Sequence, residues 1–261
     1  MNKEEFDKES KINKFRDLQK KILDNVNTEQ DIIDANEIAE ELIEITKNSY
    51  DKMGEKYAEI RTLELLEFDK KVWNKLIFFV DKYLSKDYNQ LKMLDIGAGH
   101  GRDMKYALDL GFNITGVDNS DEFIEILENL SNNNLIPKDS FFKADMRSLP
   151  FENESFDVVR HQATLLHMPV IAKGYTIDKA LEESYRILKK GGLLYILVKK
   201  GDGVKYMDTN EGLGGRIFQF YDEITISDIV RRNGFKIISA TSEEENRKGT
   251  IVNWVMIIAQ K

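Results

Sequence analysis

Ten residues, Leu94-Asp95-Ile96-Gly97-Ala98-Gly99-His100-Gly101-Arg102-Asp103, constrain this chain more than any other stretch. They join an apolar run to a helical pattern through three glycines spaced two apart. Leu91 to Ile96 reads as a buried strand, and Gly101 to Leu110 as a helix whose first N–H groups point back toward the strand end. Lacking Cβ atoms at 97, 99 and 101, the backbone can turn sharply and press against a ligand. His100 reads as part of that turn, acting through its backbone rather than its ring.

Three more segments follow in a fixed order. Phe112-Asn113-Ile114-Thr115-Gly116-Val117-Asp118 alternates like a strand and ends in a carboxylate 19 residues past Gly99, where an acid can accept hydrogen bonds from both hydroxyls of a ribose. Phe141-Phe142-Lys143-Ala144-Asp145-Met146-Arg147 forms the next, and Phe156-Asp157-Val158-Val159 leads into Arg160-His161-Gln162-Ala163-Thr164-Leu165-Leu166-His167-Met168. Lys189-Lys190-Gly191-Gly192-Leu193 then closes a helix and opens another strand. With the glycine loop, these segments resemble class I (Rossmann-like) S-adenosylmethionine (SAM) dependent methyltransferases of the small-molecule type. A nicotinamide-binding Rossmann domain fits less well: its fingerprint is G-x-G-x-x-G, whereas this loop is G-x-G-x-G and follows Asp95.

The resemblance implies an α/β fold, a seven-stranded, mostly parallel, doubly wound sheet in the order 3-2-1-4-5-7-6 with the last strand antiparallel. It implies SAM as cofactor, S-adenosylhomocysteine as product, and a cofactor site made of Tyr57, Arg61, Asp95, Gly97, Ala98, Gly99, Gly101, Asp118, Asn119, Asp145, Met146, Arg147 and Gln162. Within it, Asp145 would receive the adenine amino group and Met146 line the ring. Tyr50-Asp51-Lys52-Met53-Gly54-Glu55-Lys56-Tyr57 resembles a Tyr-Asp-x-x-Ala-x-x-Tyr segment of the family, with Gly54 departing from the usual alanine. Tyr57 and Arg61, four apart, would share a helix face near the methionine end.

Methyl transfer from a sulfonium is an in-line displacement, so positioning supplies roughly 7 to 11 kcal/mol and a general base about 10² to 10⁴ in rate. His161 and His167 are the candidate bases, because an unperturbed imidazole titrates at about 6.5. Gln162 occupies the position where amino-group methyltransferases of nucleic acids begin Asn-Pro-Pro-Tyr. That tetrapeptide is absent here, so Gln162 reads as a polar contact near the methyl group.

The remaining chain reads as follows. Ile12, Phe15, Leu18 and Ile22, and again Ile32, Ala35, Ile38, Ala39, Leu42 and Ile45, recur at helical spacing. Thr28 with Asp31 makes a capping signature. Residues 1–48 are therefore expected to form an N-terminal helical extension serving as a lid, a homodimer contact or plain packing, and residues 49–261 the methyltransferase domain. Leu63 to Leu84, Thr176 to Leu188 and Ile224 to Asn233 read as helices, and Leu193 to Lys199, Phe235 to Ala240 and Ile251 to Ala259 as strands. Lys199 to Arg216 reads as a long glycine-rich loop on the ligand side, mobile until an acceptor binds. Lys199, Arg216 and Tyr221 are the candidate acceptor contacts, with mixed charge there suggesting a polar or zwitterionic acceptor.

Composition sets the outer bounds. At 261 residues and 41% apolar content the chain can bury a sizeable core. No run of 18 apolar residues suggests a membrane span, and the charged start does not read as a signal peptide, so a cytoplasmic location is expected. Zero cysteines exclude disulfides, thiol nucleophiles and Cys-ligated zinc, and no metal is expected. A net charge of −8 argues against nucleic acid as a general partner. The expected activity is methyl transfer to a small metabolite or short peptide, the alternatives being a SAM-binding partner or sensor without catalysis, or an RNA methyltransferase.

Overall fold

Strands β1 (Lys92–Ile96) and β4 (Phe156–Gln162) lie side by side at the centre of the sheet because almost every residue in them is apolar or buried on both faces, as parallel strands covered by helices require. The computed structural model describes residues 3–60, 62–208 and 215–261. In chain order the elements are α1 (Lys3–Leu23), α2 (Glu29–Ile60), α3 (Glu67–Tyr83), β1, α4 (Arg102–Asp109), β2 (Asn113–Asp118), α5 (Asp121–Asn132), β3 (Phe141–Lys143), β4, α6 (Ile177–Ile187), β5 (Leu188–Lys199), β6 (Val204–Asp208), β7 (Gly215–Gln219), α7 (Glu223–Arg232), β8 (Lys236–Arg247) and β9 (Thr250–Gln260).

The main sheet runs β3-β2-β1-β4-β5-β9-β8. Pairs among the first five are parallel, while β9 is antiparallel to both β5 and β8. Set apart from the β6–β7 pair, these seven strands have the expected order and the expected antiparallel last strand. Chain order reverses between β1 and β4, which opens a crevice at their carboxyl ends. Gly101 starts α4 with φ +80, and Ser120 caps α5 by accepting from the Phe123 N–H. Both helices therefore begin beside that crevice.

Several expectations need correction. Residues 201–216 do not form an open loop. Val204–Asp208 and Gly215–Gln219 pair as an antiparallel hairpin, Val204 opposite Gln219 and Asp208 opposite Gly215. The glycines mask an alternation in which Val204 and Ile217 are buried. Residues 209–214, the middle of the expected loop, lie outside the described residues. Strand β8 runs on from Ala240 to Arg247; its polar second half lacks an apolar run but pairs with the start of β9 and turns at Lys248 and Gly249, both with positive φ. Helix α3 starts at Glu67, not Leu63.

The extension folds as two helices with the expected cap: the Thr28 hydroxyl accepts from Asp31 N at 3.1 Å, and the Asp31 carboxylate accepts from Thr28 N at 2.8 Å. Ile12, Phe15, Leu18 and Ile22 pack with Ala35, Ile38, Ala39 and Leu42 into a second apolar cluster, completed by Ile171, Val204 and Ile217. Residue 48 falls inside α2, which continues unbroken to Ile60 and puts its second half over the crevice. Among the described residues no helix is long and apolar enough to cross a membrane.

Candidate active site

A cavity of about 620 Å³ occupies the crevice. One end is built from main chain. Gly97, Gly99 and Gly101 hold φ of +78, +54 and +80, values that favour glycine. They play different parts. A Cβ on Gly97 would strike the Thr164 side chain, one on Gly101 would strike Leu127 and Leu130, and one on Gly99 meets nothing within 4 Å. Gly97 and Gly99 line the cavity, whereas Gly101 does not and serves to start α4. Its expected cofactor contact is thus corrected to a packing role.

Asp118, at the tip of β2, accepts from Gly99 N at 2.9 Å and from Ser120 N at 3.0 Å. Burial raises its pKa, and the N–H groups of Ser120, Gly99 and Asn119 oppose that rise. Asn119, Ala98 and Met146 line the same end. Asp145 and Arg147 are off the cavity wall and bound to each other at 2.7 Å, with Arg147 also held by Glu40 at 2.6 Å. Burial works against the Asp145 charge, but Arg147 overcomes it and lowers the pKa. These two are corrected from cofactor contacts to an ion pair that ties β3's exit to α2.

Asp95 lines the cavity, but Arg160 engages it at 2.7 Å and bridges to Asp103 at 2.6 Å. Trp73 Nε1 also donates to Asp103 at 2.6 Å, and the Arg160 guanidinium lies 4.6 Å from the Trp73 ring centre. Burial pushes the Asp95 pKa up, against the pull of Arg160. The sequence motifs do not single out Arg160 as a site residue. Its position in β4, facing the same side as Gln162, is the signal that could have found it.

The period-two geometry of β4 separates the other candidates. Arg160 and Gln162 face the cavity; His161, between them, faces away. The Ser184 hydroxyl donates to the Ala180 carbonyl, so it accepts from His161 Nε2 at 2.9 Å, leaving Nδ1 buried without a partner. Burial lowers the His161 pKa to about 3. His161 is therefore corrected from base to core residue. Tyr221 is corrected likewise: it is 1% exposed, and its hydroxyl donates to the Met168 carbonyl at 3.0 Å. Gln162 stays on the wall, its Oε1 accepting from Tyr195 at 2.7 Å.

His167 does line the cavity. The Ile217 carbonyl, 2.7 Å from Nδ1, can only accept, so Nδ1 carries the proton and Nε2 accepts from the Tyr50 hydroxyl at 2.9 Å. Arg216 donates to the same Tyr50 oxygen at 3.1 Å. Burial lowers the His167 pKa to about 3, with Arg216 and Lys199 adding to the effect and the Ile217 hydrogen bond opposing it. Burial raises Tyr50 to about 12. Tyr57 lines the cavity with Tyr50, and both pack on Phe123. Arg61 lies outside the described residues. Lys199 and Arg216 face the cavity as expected, joined by Met207, Phe218, Glu245, Arg247 and Trp254 from the two hairpins.

Residues 94–196 match the family model described as a methyltransferase domain. Over that stretch the chain is similar to SAM-dependent methyltransferases. Among the proteins it resembles, a sterol 4-C-methyltransferase of Caenorhabditis elegans is 34% identical over 112 residues, spanning 42% of this chain and 32% of that protein. A sarcosine/dimethylglycine N-methyltransferase of Aphanothece halophytica is 33% identical over 108 residues, spanning 39% and 35%. The chain thus spans about a third of the length of these curated relatives. A SAM-dependent methyltransferase of Methanosarcina mazei has the same fold, with a TM-score of 0.58 at 24% identity over 70% of this chain and 96% of that one. The site suits the family's cofactor: open space beside Gly99, a backbone-anchored acid at Asp118, and Ala144 and Met146 as apolar walls.

Proposed function

We propose that this methyltransferase moves a methyl group from SAM to a small-molecule acceptor by in-line displacement. One observation carries the reading: the glycine cradle and the chamber under the two hairpins are a single cavity, within the roughly 300 to 1,000 Å³ of small-molecule sites, so cofactor and acceptor can share one enclosure. Bound there, SAM supplies the electrophilic methyl group. Gly97 and Gly99 let the backbone approach it, Asp118 accepts from its ribose hydroxyls, and Gln162 and Tyr57 border its reactive end. The relatives take their names from a sterol and from sarcosine/dimethylglycine as acceptors, which supports a small molecule without choosing one.

Tyr50 orients the reactive end of the cavity: its hydroxyl donates to His167 Nε2 and accepts from Arg216, which fixes the wall against which an acceptor is aligned. Burial and two neighbouring cations hold His167 near 3, so it is no sink for a proton, and the methylated acceptor gives up its proton to water. Calorimetric titration with SAM, followed by incubation with labelled SAM and a metabolite extract, tests the reading. The expected result is saturable cofactor binding and a labelled small molecule. Binding without any labelled product would leave a SAM-binding partner or sensor instead.

A further inference from the structure

Where β5 ends, the cavity wall turns cationic. Lys199 places its ammonium 4.0 Å from the centre of the Phe218 ring, and the Arg216 guanidinium lies 5.6 Å from the same ring. Arg247 stacks 5.6 Å from Trp254, the residue opposite Lys199 across β5 and β9. All three cations line the cavity. The nearby acid is already engaged: Glu245 holds Arg247 Nε at 2.8 Å and accepts from Trp254 Nε1 at 2.9 Å. The remaining acids on the wall are held elsewhere, Asp69, Asp95 and Asp103 by Arg102 and Arg160, and Asp118 by the glycine-loop backbone.

Among the described residues, then, no carboxylate pairs with Lys199, although its side chain is largely withdrawn from water. A desolvated ammonium without a counter-ion is costly, and the face of Phe218 offsets only part of that. Burial, with Arg247 and Arg216 adding and Glu245 opposing, lowers its pKa to about 8. A ligand that brings its own negative charge removes the penalty. We infer that Lys199, flanked by Arg216 and Arg247, receives an anionic oxygen group of the acceptor, so that the methyl acceptor is a small organic acid or phosphomonoester whose apolar part lies against Phe218 and Trp254. This rests on the methyltransferase reading and adds the acceptor's chemical class to it.

The test divides a whole-cell metabolite extract on a strong anion exchanger before incubation with labelled SAM and the 261-residue protein. Label should enter compounds from the retained fraction. Phosphatase treatment of that fraction separates the sources, since a phosphomonoester acceptor disappears and a carboxylic acid survives. With the acceptor so isolated, K199M should raise its KM by roughly 10- to 100-fold, the scale of a hydrogen bond to a charged group, with the SAM Kd changed less than about twofold. K199R should recover most of the loss.

Label arising from the unretained fraction overturns the inference while leaving the methyltransferase reading intact. So does a K199M protein that loses SAM affinity at unchanged acceptor KM, because Lys199 would then hold the cofactor's own carboxylate. No label from either fraction, with SAM still bound, overturns the methyltransferase reading and this inference with it.

Discussion

The two ends of the cavity are built on different principles. At the end that suits the cofactor, main chain shapes the wall: Gly97 and Gly99 with positive φ, and one acid tied to the loop by Gly99 N. At the end proposed for the acceptor, side chains form the wall, and they come from far apart in the chain. Tyr50 meets His167 across 117 positions and Arg216 across 166. A backbone site tolerates few substitutions at a few places, whereas a side-chain site can be altered residue by residue without disturbing the sheet. The first suits a constant cofactor and the second a variable acceptor.

The largest effect should come from breaking the backbone end. Gly99→Val puts a branched side chain into the space beside Asp118 at a φ of +54. We expect SAM binding to vanish in calorimetry while a cooperative thermal transition survives, because the new atoms enter the cavity and the added backbone strain is on the order of 1–3 kcal/mol. Loss of the folded state would make Gly99 a structural residue and erase the contrast. Next in size is the side-chain array at the other end. Tyr50→Phe removes the hydroxyl that joins Arg216 to His167 and lets that wall shift, so kcat should fall by roughly 10² through misalignment with SAM affinity unchanged. A normal kcat would assign Tyr50 to binding alone.

Asp118→Ala sharpens the comparison at a smaller scale. It should weaken SAM by roughly 1.5 to 3 kcal/mol, the worth of hydrogen bonds to a charged group, and leave acceptor KM alone. Unchanged affinity in calorimetry would show that Asp118 only braces Gly99 N and Ser120 N.

The same division explains which parts of the molecule are legible in the amino-acid order alone. Gly97, Gly99, Asp118 and Met146 belong to contiguous motifs on adjacent strands, and all four line the cavity. The sheet order was legible only through the family those motifs resemble, and the observed order agrees with it. Asp145 and Arg147 have the right address but the wrong orientation, because a local ion pair turns both off the wall. Tyr221 is misplaced for lack of any tertiary clue. The pairing of Val204–Asp208 with Gly215–Gln219 and the polar half of β8 have no apolar run to announce them, so Arg247 and Trp254 escape notice as walls. Tyr50 lies in a recognisable segment, yet only folding brings it to His167.

Two histidines that look equivalent in sequence also part in the fold, His161 pointing into the core from β4 and His167 reaching the cavity from the short helical turn beyond it, and pH with turnover can expose the difference. Burial holds His161 at a pKa of about 3, whereas an unfolded histidine titrates at its ordinary value. Between those two values the unfolded chain binds the extra proton, so stability falls as pH falls through that window. At about pH 5 the deficit from His161 is on the order of 2 kcal/mol. His161→Leu removes the titration and the partnerless Nδ1 together, and touches nothing in the cavity. Denaturant unfolding should therefore find the variant within about 1 kcal/mol of the parent near neutral pH and gaining on it by roughly 2 kcal/mol as pH drops to about 5, with turnover retained. His167→Leu has the same sign in stability, since burial also holds His167 near 3, but it removes the partner of Tyr50 and should depress kcat. A parent-to-variant gap at His161 that stays flat with pH would mean the folded protein protonates that ring, and the assignment of one histidine to the core and the other to the cavity would fail.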